Sequence, residues 1–187
     1  MKRTIAALAV AMTLAATFVA AATTQKTPDT FKATATVKGG NASASAAMVV
    51  SIDRYATEAE RAALIKAVRS GGGAAQAALK ARENVGYIQL GERRTPIKYA
   101  WRTPMGAGEL LTVATAEPIL FLGGGLPKAD AKSGFDVAVA ILDVKNGQPG
   151  TGELAPAAQV AMDDNGALRI TDYSSLVIWL NGLVRGQ

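Results

Sequence analysis

Apolar and polar residues alternate with a period of two along most of the chain. Phe31, Ala33, Ala35 and Val37 share one face, and Lys32, Thr34, Thr36 and Lys38 share the other, as in a half-exposed strand. Gly39–Gly40–Asn41 reads as a turn into a second strand. There Met48, Val50 and Ile52 alternate with Val49, Ser51 and Asp53, so the two strands are expected to form a hairpin.

The period then changes. Thr57 and Glu60 have the spacing of a capping box, and Glu58 and Glu60 fall in the first turn, where a helix carries partial positive charge. Leu64, Ile65 and Val68 make an apolar stripe, and Arg61 is expected to lay its methylenes over the core edge with its guanidinium in water. Gly71, Gly72 and Gly73 stop this helix. A second helix is predicted from Ala74 to Arg82, with Ala75, Ala78 and Leu79 on one side, and Val85 to Leu90 returns as a strand. The triple glycine joins two helices. A phosphate-cradling loop would instead follow a strand and open a helix with Lys and Ser or Thr.

Period two resumes afterwards. Gly91 to Pro96 reads as a turn. Ile97, Tyr99 and Trp101 face one way and Lys98, Ala100 and Arg102 the other. After a loop from Pro104 to Gly108, the segment from Leu110 to Thr115 completes a second hairpin. Pro118 to Leu122 reads as a further short strand or a continuation after a bend, and Gly123 to Pro127 as a loop. Phe135 to Val144 is apolar on both faces, which places it centrally. Asn146–Gly147 is a hairpin turn. Glu153 to Met162 is a strand in which Pro156 implies an edge or a bulge. Asp163 to Gly166 turns again, and Ala167 to Thr171 and Leu176 to Val184 close the series. The fold class that results is α+β: a mostly antiparallel, strongly curved sheet or partial barrel of about eight strands, with an inserted helix pair closing one side.

Composition adds an address. Lys2 and Arg3, then an uncharged apolar run from Ile5 to Val19, then Ala20, Ala21 and Ala22, have the form of a secretory signal over residues 1–22. An uncleaved membrane anchor is the alternative. The remaining residues, 23–187, fit one exported domain, periplasmic or extracellular, with no stable membrane insertion after cleavage. No cysteine is present, so no disulfide supports the fold. The net charge of +5 includes two charges from Lys2 and Arg3. The small remaining surplus makes no case for a nucleic-acid partner.

Candidate chemistry is sparse. Without histidine or cysteine, the Ser-His-Asp and Cys-His constellations and the usual zinc and copper sites are excluded. A carboxylate pair would need two acids facing across a cleft; Asp53, Glu117 and Asp136 adjoin apolar strands, but none lies in a signature. Asp163–Asp164–Asn165–Gly166 is a hairpin turn rather than a calcium loop, because Ala161 stands at the first ligand position and Asp172 where a bidentate Glu belongs. Ser133 beside Lys132 is a sequence neighbour only. Arg93, Arg94, Lys98 and Arg102 form the densest basic cluster, interleaved with Tyr99 and Trp101. The alternation assigns those aromatics to the core, as it does Trp179, and the cations to a solvated face. A weak anion-binding role is left to Arg93 and Arg94. No catalytic residue, metal ligand or cofactor site is singled out.

The order Thr57–Glu58–Ala59–Glu60–Arg61, Val85–Gly86–Tyr87–Ile88, Tyr99–Ala100–Trp101–Arg102–Thr103–Pro104 and Ala114–Thr115–Ala116–Glu117–Pro118–Ile119 resembles a family of uncharacterised exported bacterial proteins of similar length. The resemblance implies one secreted domain and assigns no site. The reading that follows is a non-enzymatic envelope protein that binds a small apolar ligand or a partner protein. The alternatives are a hydrolase or transferase using carboxylates or hydroxyls, and a structural subunit of a surface assembly.

Overall fold

Ten strands in one antiparallel sheet, with a helix pair inserted after the second, make up the described part of the chain. The computed structural model describes residues 28–39, 42–71, 73–120, 133–162, 168–173 and 177–186. The strands are β1 (Asp29–Gly39), β2 (Ala42–Ile52), β3 (Gly86–Leu90), β4 (Arg93–Ile97), β5 (Tyr99–Met105), β6 (Gly108–Ala114), β7 (Val137–Lys145), β8 (Gly150–Met162), β9 (Leu168–Tyr173) and β10 (Ile178–Arg185). The helices are α1 (Glu58–Ser70) and α2 (Ala74–Lys80). The sheet order is β4-β3-β2-β1-β10-β8-β7-β6-β5, with β9 paired to the far half of β8.

The two ends of that order, β4 and β5, are consecutive in the chain and separated by Lys98 alone. The sheet therefore curls into a nearly closed barrel whose ends are joined by the backbone. Ile97 O accepts from Val85 N at 2.8 Å on one side, and Lys98 N donates to Ala114 O at 2.9 Å on the other.

The hairpins anticipated from the sequence are present. Gly39 pairs with Ala42, Met105 with Gly108, and β7 with β8 across a turn in which Gly147 has a φ of 70°. β7 is central, and its first half, 137–140, is buried on both faces, because one face meets the barrel interior and the other meets the helices; beyond it, Ile141 and Asp143 on the outer face are only partly covered. Pro156 does lie at a bulge. The β7–β8 register shifts between Val137 and Val139, and the pairing of β8 changes there from β10 to β9, so the missing N–H falls in a gap of the ladder.

The α1 capping box is complete: Thr57 Oγ1 accepts from Glu60 N, and the Glu60 carboxylate accepts from Thr57 N at 2.8 Å. Gly71 caps the far end with a φ of 63°. Leu64, Val68 and Leu79 are buried, each worth about 1.5–3 kcal/mol of transfer free energy. Leu64 and Leu79 pack on the outer face of β5 to β8 against Tyr99, Ala114, Val137, Val139, Ala155 and Ala158. A separate, larger core fills the barrel. Phe31, Met48, Ile88, Leu111, Leu154 and Leu180 are among eleven large side chains fully buried there.

Five expectations are corrected. Gly91 to Pro96 is not all turn: Arg93 to Ile97 is strand β4, paired with β3, and only Gly91 and Glu92 turn. Pro96 is tolerated because the other edge of β4 carries no strand among the described residues. Ile97 and Tyr99 do not share a face. The bend at Lys98 slips the alternation, sending Ile97 into the barrel and Tyr99 beneath the helices. Trp179 is not core but 51% exposed. Arg102 and Lys98 do not form a solvated face: Arg102 enters a network at the barrel mouth, and Lys98 Nζ donates to Arg82 O at 2.8 Å. Residues 118–120 form no strand. The proposed glycine loop at 123–127 and the turn at 163–166 lie outside the described residues.

Where β6 ends, Thr115 continues the ladder with its side chain. It is fully buried, accepts from Ala138 N at 2.9 Å and donates to Glu117 O at 2.5 Å.

Candidate functional site

Two features draw attention: a charged network at one mouth of the barrel and an exposed aromatic on its outside. The mouth network joins β1, β5, β6 and β10. Arg102 pairs with Asp29 and approaches Glu109 Oε2 to 2.9 Å through its Nε. Arg185 pairs with Glu109 and lies 3.3 Å from Asp29 Oδ1. Each arginine thus bridges both carboxylates, and the four side chains close a ring. The buried Arg102 Nε is near Glu109 but not aligned for a hydrogen bond, so that contact is coulombic.

Tyr55, from the segment after β2, completes the network. Its hydroxyl donates to Asp29 Oδ2 at 2.9 Å, and its ring lies 4.1 Å beneath the Arg102 guanidinium. Arg185 lies in turn 5.1 Å over the Phe31 ring. Burial pushes the Tyr55 phenol up to about 12, with Arg102 opposing and Asp29 adding to it. Burial pulls the Arg102 pKa down, but Tyr55, Glu109 and Asp29 together outweigh it, so the guanidinium ends above its ordinary value.

All four carboxylate oxygens of Asp29 and Glu109 already face a guanidinium. Both carboxylates are thus held in place by both arginines, and the pair clamps the barrel mouth. The acids considered from the sequence lie beside three different strands. Asp53 follows β2, Glu117 is exposed after β6, and Asp136 precedes β7, where its carbonyl accepts from Gln76 Nε2 at 3.0 Å. Among the described residues no three His, Cys, Asp or Glu side chains cluster as metal ligands would.

Arg93 and Arg94 lie on β4 beside an open groove of about 690 Å³ floored by Ile88, Leu90 and Ile119, with Glu117 on its rim. Arg94 is committed: its Nε donates to Gln89 Oε1 at 2.8 Å, and its guanidinium stacks 4.4 Å over Tyr87. The Glu117 carboxylate on the rim opposes the positive charge that the two arginines bring to the groove. Arg61 and Trp101 pair outside the helix cluster at 5.1 Å, and burial pushes the Tyr99 phenol beneath them up to about 12.

The outer face of β7, β8, β10 and β1 is different. Sheet register sets Ile141, Glu153, Trp179 and Thr36 side by side, and Asp143, Thr151, Asn181 and Thr34 in the next row. A shallow groove of about 410 Å³ runs along Trp179 between these rows. The neighbours of Trp179 in the chain, Ile178 and Leu180, are completely buried inside the barrel. The alternation correctly identified two faces, but it did not reveal that the helices stop short of this one. No family model, curated protein or solved structure matches the chain.

Proposed function

We propose that this chain is a non-enzymatic binding module of the bacterial envelope, exported behind a cleaved leader, and that it binds on the outside of its barrel. The observation that carries this reading is Trp179. A half-exposed tryptophan in the middle of a sheet keeps a large amphipathic ring in water, and tryptophan is a residue enriched at interfaces. The interior offers no comparable site among the described residues, because the barrel is filled by its own side chains. The saturated Asp29–Glu109 pair gives no support to hydrolysis.

The test is retention on envelope fractions of the host. Protein expressed from the full coding sequence should be recovered outside the cytoplasm, with its new amino terminus near residue 23. It should sediment with envelope material, and Trp179→Ala should release it while leaving the unfolding midpoint unchanged. Equal sedimentation of the variant and the parent, or cytoplasmic recovery with Met1 retained, would refute the reading.

A further inference from the structure

We propose that the Trp179 face is a saccharide platform, on which the indole stacks against the C–H face of a neutral pyranose ring while the surrounding side chains hold its hydroxyls. This rests on the binding-module reading and names the class of ligand.

The argument begins with what surrounds the indole. A tryptophan that anchors a protein partner sits among apolar contacts that exclude water. Here its cross-strand neighbours are Glu153 and Thr36, and the adjoining row on the side away from the helices is entirely polar. Ile141, two strands away, is the one aliphatic side chain in the two rows. An aromatic face bordered by hydrogen-bonding groups matches a sugar, which presents an apolar C–H face and a rim of hydroxyls.

The polar groups suit hydroxyl ligands. An amide both donates and accepts, as does a threonine hydroxyl, and a sugar hydroxyl needs both. Asn181 and Thr151 are exposed and opposite each other in register, and neither side chain hydrogen-bonds within the protein among the described residues. The charged side chains within the two rows are Glu153 and Asp143, the latter held by Lys145 at 2.7 Å, so the rows themselves offer no cation to attract a phosphate or an acidic polymer. A neutral glycan meets no such penalty.

Geometry fixes the extent. Four strands at sheet spacing cover roughly 14 Å, and two rows cover roughly 7 Å, room for roughly two to three pyranose rings laid across the strands. The groove volume of about 410 Å³ is of the size that small-molecule sites occupy. The residues stand on paired strands rather than loops, so little ordering is needed on binding. A flat platform favours equatorially linked chains, which are extended, over helical ones.

The experiment titrates cellotetraose and chitotetraose, with maltotetraose as the curved control, into protein expressed from the full coding sequence. Tryptophan fluorescence and calorimetry report binding. The chain has two tryptophans, and Trp101 lies under Arg61, away from this face. Saturable binding is expected for at least one extended tetrasaccharide, weakened about tenfold or more in Trp179→Ala and several-fold in Asn181→Ala, and unchanged in Trp101→Phe. Absence of saturable binding by all three sugars would overturn the saccharide assignment. If envelope retention still depended on Trp179, and protease treatment of the envelope abolished it, the occupant would be a protein and the binding-module reading would stand. Retention independent of Trp179 would overturn both.

Discussion

Replacing Glu109 by Gln removes one charge from the ring at the barrel mouth and keeps its shape. Arg102 and Arg185 then face each other with Asp29 alone between them. The side chain of Glu109 is 14% exposed and that of Asp29 is 20%, while Arg102 and Arg185 retain 35% and 44%. The carboxylates are therefore nearer the buried regime, where breaking a pair costs about 3–5 kcal/mol. The arginines are nearer the exposed one, where a pair contributes about 0.2–1 kcal/mol. An intermediate loss of about 2 kcal/mol is expected, equivalent to a fall of about 4–8 °C in Tm for a chain of this size. Urea and thermal unfolding at low and high salt measure it. The loss should shrink only partly in high salt, because the carboxylates are shielded from solvent. In a double-mutant cycle with Arg185→Gln, a coupling of at least about 1 kcal/mol is expected. A Glu109→Gln variant within about 0.5 kcal/mol of the parent, or strict additivity in the cycle, would refute the clamp.

Three further perturbations test other contacts. Arg54 first, and then the Thr57 backbone, hold Glu60 at about 2, below its ordinary 4.5. Its contribution is therefore present above pH 4.5 and lost as pH falls through about 2. Glu60→Gln should cost about 1 kcal/mol at neutral pH, and its stability curve should converge with the parent's under acid, measured by urea midpoints across that range. Thr115→Val strands the buried Ala138 N–H and should cost about 1–3 kcal/mol, with faster hydrogen exchange at Ala138 as the specific signature. Gly86 has a φ of 146°, and a Cβ there would collide with Ser51 O across the β2–β3 ladder. Gly86→Ala should therefore cost about 3 kcal/mol or more, read from thermal unfolding, whereas Gly71→Ala meets no neighbour and carries only the strain of its left-handed backbone.

What was legible in the sequence is what is local. The capping box, the Gly71 stop and the hairpins at residues 39–42 and 145–150 depend on residues a few positions apart. Burial of both faces in the first half of β7 followed from its run of apolar residues, while Asp143 marks where the outer face opens to solvent. β4 was hidden because Pro96 and two arginines look like turn chemistry, and the sheet edge that tolerates them exists only in three dimensions. The slip of alternation at Lys98 left no mark, since every residue from Ile97 to Trp101 is compatible with either face. The mouth ring draws on positions 29, 102, 109 and 185, which no spacing rule connects. Trp179 was assigned to the core because alternation separates two faces without saying which one a neighbour covers. Here the fully buried face is inside a barrel, and the helices shield only part of the other.

The pairing of β1 with β10 has a kinetic consequence. Phe31 lies opposite Arg185, so the seam between β1 and β10 cannot form until residue 185 has been synthesised. Hairpins such as β1–β2 and β5–β6 can zip up on a nascent chain, yet they remain an open ribbon with apolar side chains facing water. Ring closure is thus a late, high-contact-order event, slow by the standards of small domains. A chaperone that holds the chain extended would have its longest opportunity before residues 178–185 emerge.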